Sequence, residues 1–328
     1  MRKMLITGGA GFVGRHFCKR LLDAGDEVHC VDNVARYTGG VHPQDGWPLF
    51  NPLDYQNFHF YHEDCRDYFK RVKDSDFDYV FHLAAMVGGR LMIENNPLAV
   101  ADDLAIDSEY WQWALVTQPG KSVCFSSSAA YPIKYQRREG YVLLQEDMIS
   151  FADDIGMPDM SYGWSKLTLE YLCRLAYEKY GLKNVVYRPF SGYGEDQDMT
   201  YPFPSICQRV LDNYGARSIV VWGSGLQMRD FIHIEDCVEG VLTTMDQIDD
   251  GDAINLSTGM LTSFQQLAKQ VAHLVGYDPE ITALSDKPEG VFARGGDTTK
   301  QKKLGFTYTI ELQEGIRRAL AYLSTKSD

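Results

Sequence analysis

The stretch TGGAGFVG, residues 7–14, constrains this chain more than any other. It follows a short apolar run, KMLI, and opens an amphipathic stretch from Phe12 to Ala24. Gly8, Gly11 and Gly14 give the spacing G-x-x-G-x-x-G. Glycines permit a tight turn and the close approach of a pyrophosphate, and the following helix presents N–H donors and a partial positive charge at its start. A strand, glycine turn and helix in this order open a doubly wound α/β fold. The chain continues accordingly. EVHCVDN, NFHFYHEDCRD, YVFHLAA, SVCFSSSAAYP and NVVYRPF read as strands and their loops. NPLAVADDLAIDSEYWQWAL and SYGWSKLTLEYLCRLAYEKY read as long helices. Strands alternating with helices predict a parallel, doubly wound (Rossmann) sheet.

After Ser191 the alternation loosens, and Gly, Pro and aromatic residues become frequent. We expect residues 1–190 with 230–257 to form a dinucleotide-binding domain, and 191–229 with 258–328 a smaller C-terminal substrate lobe. The 328 residues are enough for one large domain or two intimate ones. A net charge of −13 disfavours a nucleic-acid partner, which needs basic surface. The seven cysteines show no CxxC or Cys/His spacing, so we expect free thiols in a reducing compartment and no metal centre. Glycines interrupt the N-terminal apolar run too early for a signal-peptide core, and no run approaches the ~18 apolar residues of a membrane span. A cytoplasmic protein is the expectation.

Several residues carry chemistry. Asp32 ends the second strand, 18 positions after Gly14, where a carboxylate binds both ribose hydroxyls and repels a 2′-phosphate. This predicts NAD in preference to NADP, with Gly8, Gly11, Phe12, Val13 and Gly14 around the pyrophosphate and Asn33 beside Asp32. In HEDCRD, Asp64 and the backbone of Cys65 either close over the adenine or form a solvated acidic loop. Leu83, Ala84 and Ala85 are small enough to lie along a cofactor, whereas His82 by itself reads as a core histidine. FSSSAAYP puts hydroxyls at the end of a strand, where doubly wound sheets place ligands. In SYGWSKL, Tyr162 and Lys166 share a helix face. A nearby ammonium favours the phenolate, so a phenol of ordinary pKa ~10 could serve as a base nearer neutrality.

Together these motifs, with RPF and WGSGLQMRDFIHIEDCVEG, resemble the extended short-chain dehydrogenases/reductases of the nucleotide-sugar epimerase and dehydratase group. The resemblance covers most of the chain. HLAAMVGG, VWGSG and KPEGVFAR look most like the GDP-sugar enzymes, GDP-mannose 3,5-epimerase and GDP-fucose synthase. It implies Ser127 as catalytic hydroxyl, four residues before Tyr131, with Tyr162 as base and Lys166 as its partner. It also implies Pro189 at the cofactor, Ser128, Ser191 and Tyr201 near the sugar, and Arg229 and Arg294 on the diphosphate. For each arginine a salt bridge between lobes is the alternative. A homodimer is implied too, pairing the helices that carry Leu98, Leu104, Ile106 and Trp111 and Leu167, Leu169, Leu172 and Leu175.

The departures narrow the reaction. The 3,5-epimerases carry a Cys two residues after the catalytic Ser, where this chain has Ala129. Their partner Lys or His falls in a loop that here reads EDQDMTYPFPS, with Tyr201 or Pro202 near the spot. Dehydratases carry an acidic pair where Ser128 and Ala129 stand, and the family's Asn after RPF is Ser191. What remains is chemistry needing Ser127, Tyr162, Lys166 and NAD. The expectation is C4 epimerisation of a nucleotide sugar, a GDP-sugar first. The alternatives are a 4-ketoreductase, a 3,5-epimerase with a rebuilt acid/base pair and, from another class, a non-catalytic NAD sensor.

Overall fold

A computed structural model describes residues 1–35, 38–73, 76–86, 88–287 and 289–326. Val87 of HLAAMVGG and Pro288 of KPEGVFAR lie outside the described residues. The N-terminal half alternates as the sequence predicts: β1 (Lys3–Thr7), α1 (Phe12–Asp23), β2 (Glu27–Asp32), β3 (Phe58–His62), α2 (Cys65–Arg71), β4 (Tyr79–His82), α3 (Arg90–Asn95), α4 (Asp102–Thr117), β5 (Lys121–Phe125), α5 (Met160–Tyr180) and β6 (Asn184–Pro189). The remainder mixes shorter pieces: β7 (Gly192–Tyr193), α6 (Pro202–Asp212), β8 (Ser218–Trp222), β9 (Met228–Asp230), β10 (Ile232–His233), α7 (Ile234–Thr244), β11 (Asp250–Leu256), β12 (Leu261–Ser263), α8 (Phe264–Leu274), β13 (Glu280–Leu284), β14 (Ala293–Arg294), α9 (Thr299–Lys303) and α10 (Leu312–Ser324).

Seven strands form one sheet in the order β11-β6-β5-β4-β1-β2-β3. The ladders from β3 across to β6 are parallel. The Asn184 N–H bonds the Asp249 carbonyl at one end of β6 and the Phe190 N–H bonds that of Leu256 at the other, so β11 runs the same way. The strand order reverses beside β1, which places the C-terminal ends of β1 and β4 at the switch point where such sheets bind ligands.

The chain divides into two compact units. The first comprises residues 1–130, 160–188 and 241–254. Its core packs Phe69, Tyr110 and Trp113 from α2 and α4 against Leu5, Val31, Val80 and Val186 of the sheet. Trp113 buries its ring and satisfies its indole N–H on the Val72 carbonyl at 2.6 Å. Each such aromatic contributes on the order of 2 kcal/mol through burial.

The second unit comprises residues 131–159, 189–240 and 255–328. Its core joins Phe203 and Val210 of α6, Leu267 and Val271 of α8, and Ile316 and Leu320 of α10. Ser263 and Gln266 form a reciprocal capping box at the start of α8.

Two groupings differ from the sequence expectation. Residues 131–159 pack with the second unit, where Leu144 bridges Gly296 and Asp159 pairs with Arg294. The return to the large sheet comes with β11. Asp230 and His233 belong instead to small sheets of the second unit, β9 beside β12 and β14, and β10 beside β7.

Candidate active site

The glycine turn is built by close backbone contacts. Gly8 has φ +71°, and a Cβ there would lie 2.8 Å from the Ala84 nitrogen. A Cβ on Gly14 would lie 2.4 Å from the Gly8 carbonyl oxygen. No side chain but hydrogen fits at either position. Gly11 differs, because its Cβ would meet only the Gly8 oxygen at 3.3 Å. It is the N-cap of α1, without a side-chain cap and with no acid in the first turn. The first-turn amides around Phe12, Val13 and Gly14 thus face a space that a side chain at Gly11 would fill. That is a cradle for an anion and fits the pyrophosphate of a dinucleotide.

Asp32 is buried at the end of β2. It accepts the Ala10 N–H at 3.0 Å and the Val34 N–H at 2.7 Å, tying the glycine turn to the next strand's loop. Burial pushes its pKa up and the backbone donors oppose that. Each oxygen retains acceptor capacity for a ribose hydroxyl. Asn33 is exposed and reaches toward Asp64 at 3.5 Å. Asp64 is the N-cap of α2 and holds Arg66 through two hydrogen bonds of 2.8 and 2.9 Å. The Arg66 guanidinium keeps its pKa low. Arg66 can hold this carboxylate because it lies two residues away on the first helical turn. Cys65 is buried, and burial pushes its thiol up to about 12.

Leu83, Ala84 and Ala85 continue from β4, half-buried. Thr7 pins them: its carbonyl accepts the Leu83 N–H at 3.1 Å and its hydroxyl the Ala84 N–H at 3.3 Å. His82 is a buried core histidine. It stacks on Tyr110 with ring centroids 4.1 Å apart and bridges Thr7 (3.0 Å) and Asp107 (3.1 Å).

Among the three consecutive serines the structure distinguishes clearly. Ser126 is buried and donates to Glu170, which pairs with Arg188 at 2.6 Å. Ser127 follows β5, its hydroxyl accepting the Ala129 N–H at 3.1 Å and lying close enough to Tyr162 to favour the phenolate. Ser128 and Ala129 are buried. Tyr162 lies in the first turn of α5, with the Lys166 ammonium 5.7 Å from its ring centre. The three expected catalytic side chains therefore converge within the first unit.

The electrostatics correct one expectation. Burial raises the Tyr162 pKa, and Lys166 and Ser127 pull it back without reversing the net direction. One ammonium does not bring this phenol to neutrality, because desolvation penalises the phenolate more than Lys166 stabilises it. Burial also works against the charge on Lys166, but Tyr162, Asp103 and Asp107 outweigh it and the net shift is upward.

Asp103 and Asp107 are the residues sequence reasoning missed. Both are buried on α4, four positions apart. Asp103 accepts from the Met86 N–H and from Ser165 at 3.2 Å. Burial pushes its carboxyl up to about 6 despite the charge of Lys166. The second Asp107 oxygen is buried with no hydrogen-bond partner among the described residues. Two acids on the apolar face of ADDLAIDSEYW were the available signal.

The other expected residues lie in the second unit. Pro189 and Ser191 are half-buried, and Tyr201 is the N-cap of α6. Arg229 and Arg294 face each other in the β9–β14 ladder. The Arg229 guanidinium donates to the Met228 and Val291 carbonyls. Arg294 donates to Gln136 (2.6 Å) and Asp159 (2.7 Å). That ion pair lies within the second unit.

Known proteins give this geometry its context. The chain is 27% identical over 324 residues to GDP-mannose 3,5-epimerase 1 of Oryza sativa subsp. indica, covering 96% of this chain and 80% of that one. The structure of a UDP-glucose 4-epimerase from Thermotoga maritima, with UDP-glucose, superposes with a TM-score of 0.82 at 25% identity over 99% of this chain and all (100%) of that one. A dTDP-glucose 4,6-dehydratase from Streptomyces venezuelae with NAD bound shares the fold, with a TM-score of 0.83 at 21% identity over 98% and 97% of the two chains. The model of the NAD dependent epimerase/dehydratase family matches residues 4–257, from β1 to the end of β11, and the chain belongs to that family.

Proposed function

We propose that this chain epimerises a nucleotide sugar at C4 through a transient 4-keto sugar, with a GDP-sugar as substrate. The observation that carries the reading is the convergence of Ser127, Tyr162 and Lys166 beside Ala129, a residue with no proton to give or take. The glycine turn with Phe12 and Val13 would hold the NAD pyrophosphate. Asp32 and Asn33 would face the adenosine ribose, Asp64 and Cys65 the adenine, and Leu83 to Ala85 and Pro189 the remainder of the dinucleotide. NAD, when bound, would supply the hydride acceptor and donor for C4.

The chain's own residues do the proton work. Ser127, oriented by the Ala129 N–H, hydrogen-bonds the sugar's 4-oxygen. Tyr162 takes the proton of the 4-hydroxyl and returns it to the same oxygen once the keto sugar has presented its other face. Lys166 lowers the cost of the phenolate and would hold the nicotinamide ribose. Arg229 and Arg294 are register partners in one ladder, and guanidinium forks suit a diphosphate. They would grip the diphosphate, with Ser128, Ser191 and Tyr201 toward the sugar.

The rice relative supports GDP, and the Thermotoga structure supports C4 chemistry. Abstracting a proton beside the ketone needs a base within hydrogen-bond reach of that carbon. Ala129 offers none. The test is incubation with GDP-, UDP- and dTDP-sugars in deuterated water, read by NMR. C4 inversion with no deuterium in the carbon skeleton is expected. Deuterium at C3 or C5 would overturn the reading and direct attention to Tyr201. Turnover only with added reduced cofactor would identify a 4-ketoreductase.

A further inference from the structure

A second cluster of chemically capable side chains lies at the other end of the strands that carry the glycine turn and Asp32. Glu27 opens β2 and His29 follows two residues later, so the period of two puts both on one face. The parallel register sets His59 of β3 opposite His29. One carboxylate oxygen of Glu27 lies 2.7 Å from Nε2 of His29 and 3.6 Å from Nε2 of His59. Ligand atoms of all three residues fall within 4.8 Å of one another.

We infer that Glu27, His29 and His59 form a binding site for a divalent late transition metal ion, Zn²⁺ foremost. Imidazole nitrogen and carboxylate oxygen are ligands this ion accepts, and two His with one Glu leave a fourth position for water. With bonds of about 2.0–2.1 Å, tetrahedral ligands stand roughly 3.3 Å apart. The two separations at the Glu27 oxygen bracket that value, so small side-chain rotations bring both imidazoles into range.

The surroundings fit a ligand set. Nδ1 of His29 is hydrogen-bonded to the Tyr61 hydroxyl at 3.0 Å, which orients the ring and leaves Nε2 pointing at Glu27. Metal-binding histidines characteristically hold their second nitrogen in this way. Lys3, opposite Glu27 on β1, is paired with Asp76 at 2.5 Å. The site is reachable: the His59 side chain is 43% exposed while that of His29 is 11% exposed. All seven cysteines are buried, so no surface thiol competes. Since β3 is the sheet's edge strand, a bound ion would clamp it to β2.

From the sequence alone no metal centre is expected. The three residues are separated along the chain, and only the β2–β3 register joins them.

The test is calorimetric titration of tag-free, NAD-loaded protein with zinc chloride, with cobalt(II) absorption reporting the ligand geometry. One equivalent binding at micromolar affinity or tighter is expected, with a rise in Tm. His59→Ala, at an exposed position, should fold normally and lose that equivalent. Tyr61→Phe should keep the ligands but weaken binding on the order of tenfold. Binding only at millimolar concentration, or unchanged binding in His59→Ala, would overturn the assignment.

Discussion

Asp103→Asn tests the electrostatic reading of the buried acids beneath Lys166. The wild-type carboxyl sits at about 6 against an ordinary 3.8, chiefly because burial disfavours its charge. Its pKa is raised in the folded state, so the native protein binds more protons than the unfolded chain between these values. Stability is therefore intact below about pH 4 and is lost as pH rises through about 6. Two pH units at about 1.4 kcal/mol each put the loss on the order of 3 kcal/mol. Asparagine cannot ionise and can keep both contacts. Its carbonyl can accept the Met86 N–H, and its amide can donate to Ser165, whose hydroxyl already reaches the Tyr162 carbonyl at 2.9 Å. The variant should gain on wild type by that amount between pH 4 and 7, measured as urea midpoints at unit pH steps. The Asp103 charge also raises the Tyr162 pKa, so the acid limb of any pH–rate profile should move to lower pH in the variant. A stability difference that is flat with pH would refute the argument, and so would an acid limb moving the other way.

Tyr162→Phe should abolish turnover while NAD stays bound. A variant that keeps its rate, followed by single-turnover assays, removes the phenol as base. Asp32→Ala should relax the preference for NAD over NADP and also loosen the glycine turn, since Ala10 and Val34 lose their acceptor; unchanged selectivity in binding titrations would count against Asp32 as the discriminator. Arg188→Leu leaves Glu170 buried and unpaired, which should cost about 3–5 kcal/mol in denaturant unfolding. A loss under 1 kcal/mol would mean water reaches the pair. A homodimer is expected by light scattering at micromolar concentration, through the exposed Leu98 just before α4, Leu104 on α4, and Trp164 and Tyr171 on α5; a monomer there removes the idea.

The sequence by itself determined the parallel α/β architecture, because strand–turn–helix periodicity and the glycine spacing are local properties. It also brought Tyr162 and Lys166 onto one helix face and marked Asp32 at a strand end. For the dimer it named eight apolar residues, of which Ile106, Trp111, Leu167 and Leu169 are core and only Leu98 and Leu104 are exposed. Hydrophobicity along a helix does not say which neighbour covers it. Tertiary structure decided the rest. It separated Ser127, which meets Tyr162, from Ser126, which serves a buried ion pair. It showed that burial outweighs one ammonium at the phenol, since desolvation depends on packing that no local motif encodes. It joined Glu27, His29 and His59 through strand register, a relation set by pairing between segments and invisible along the chain.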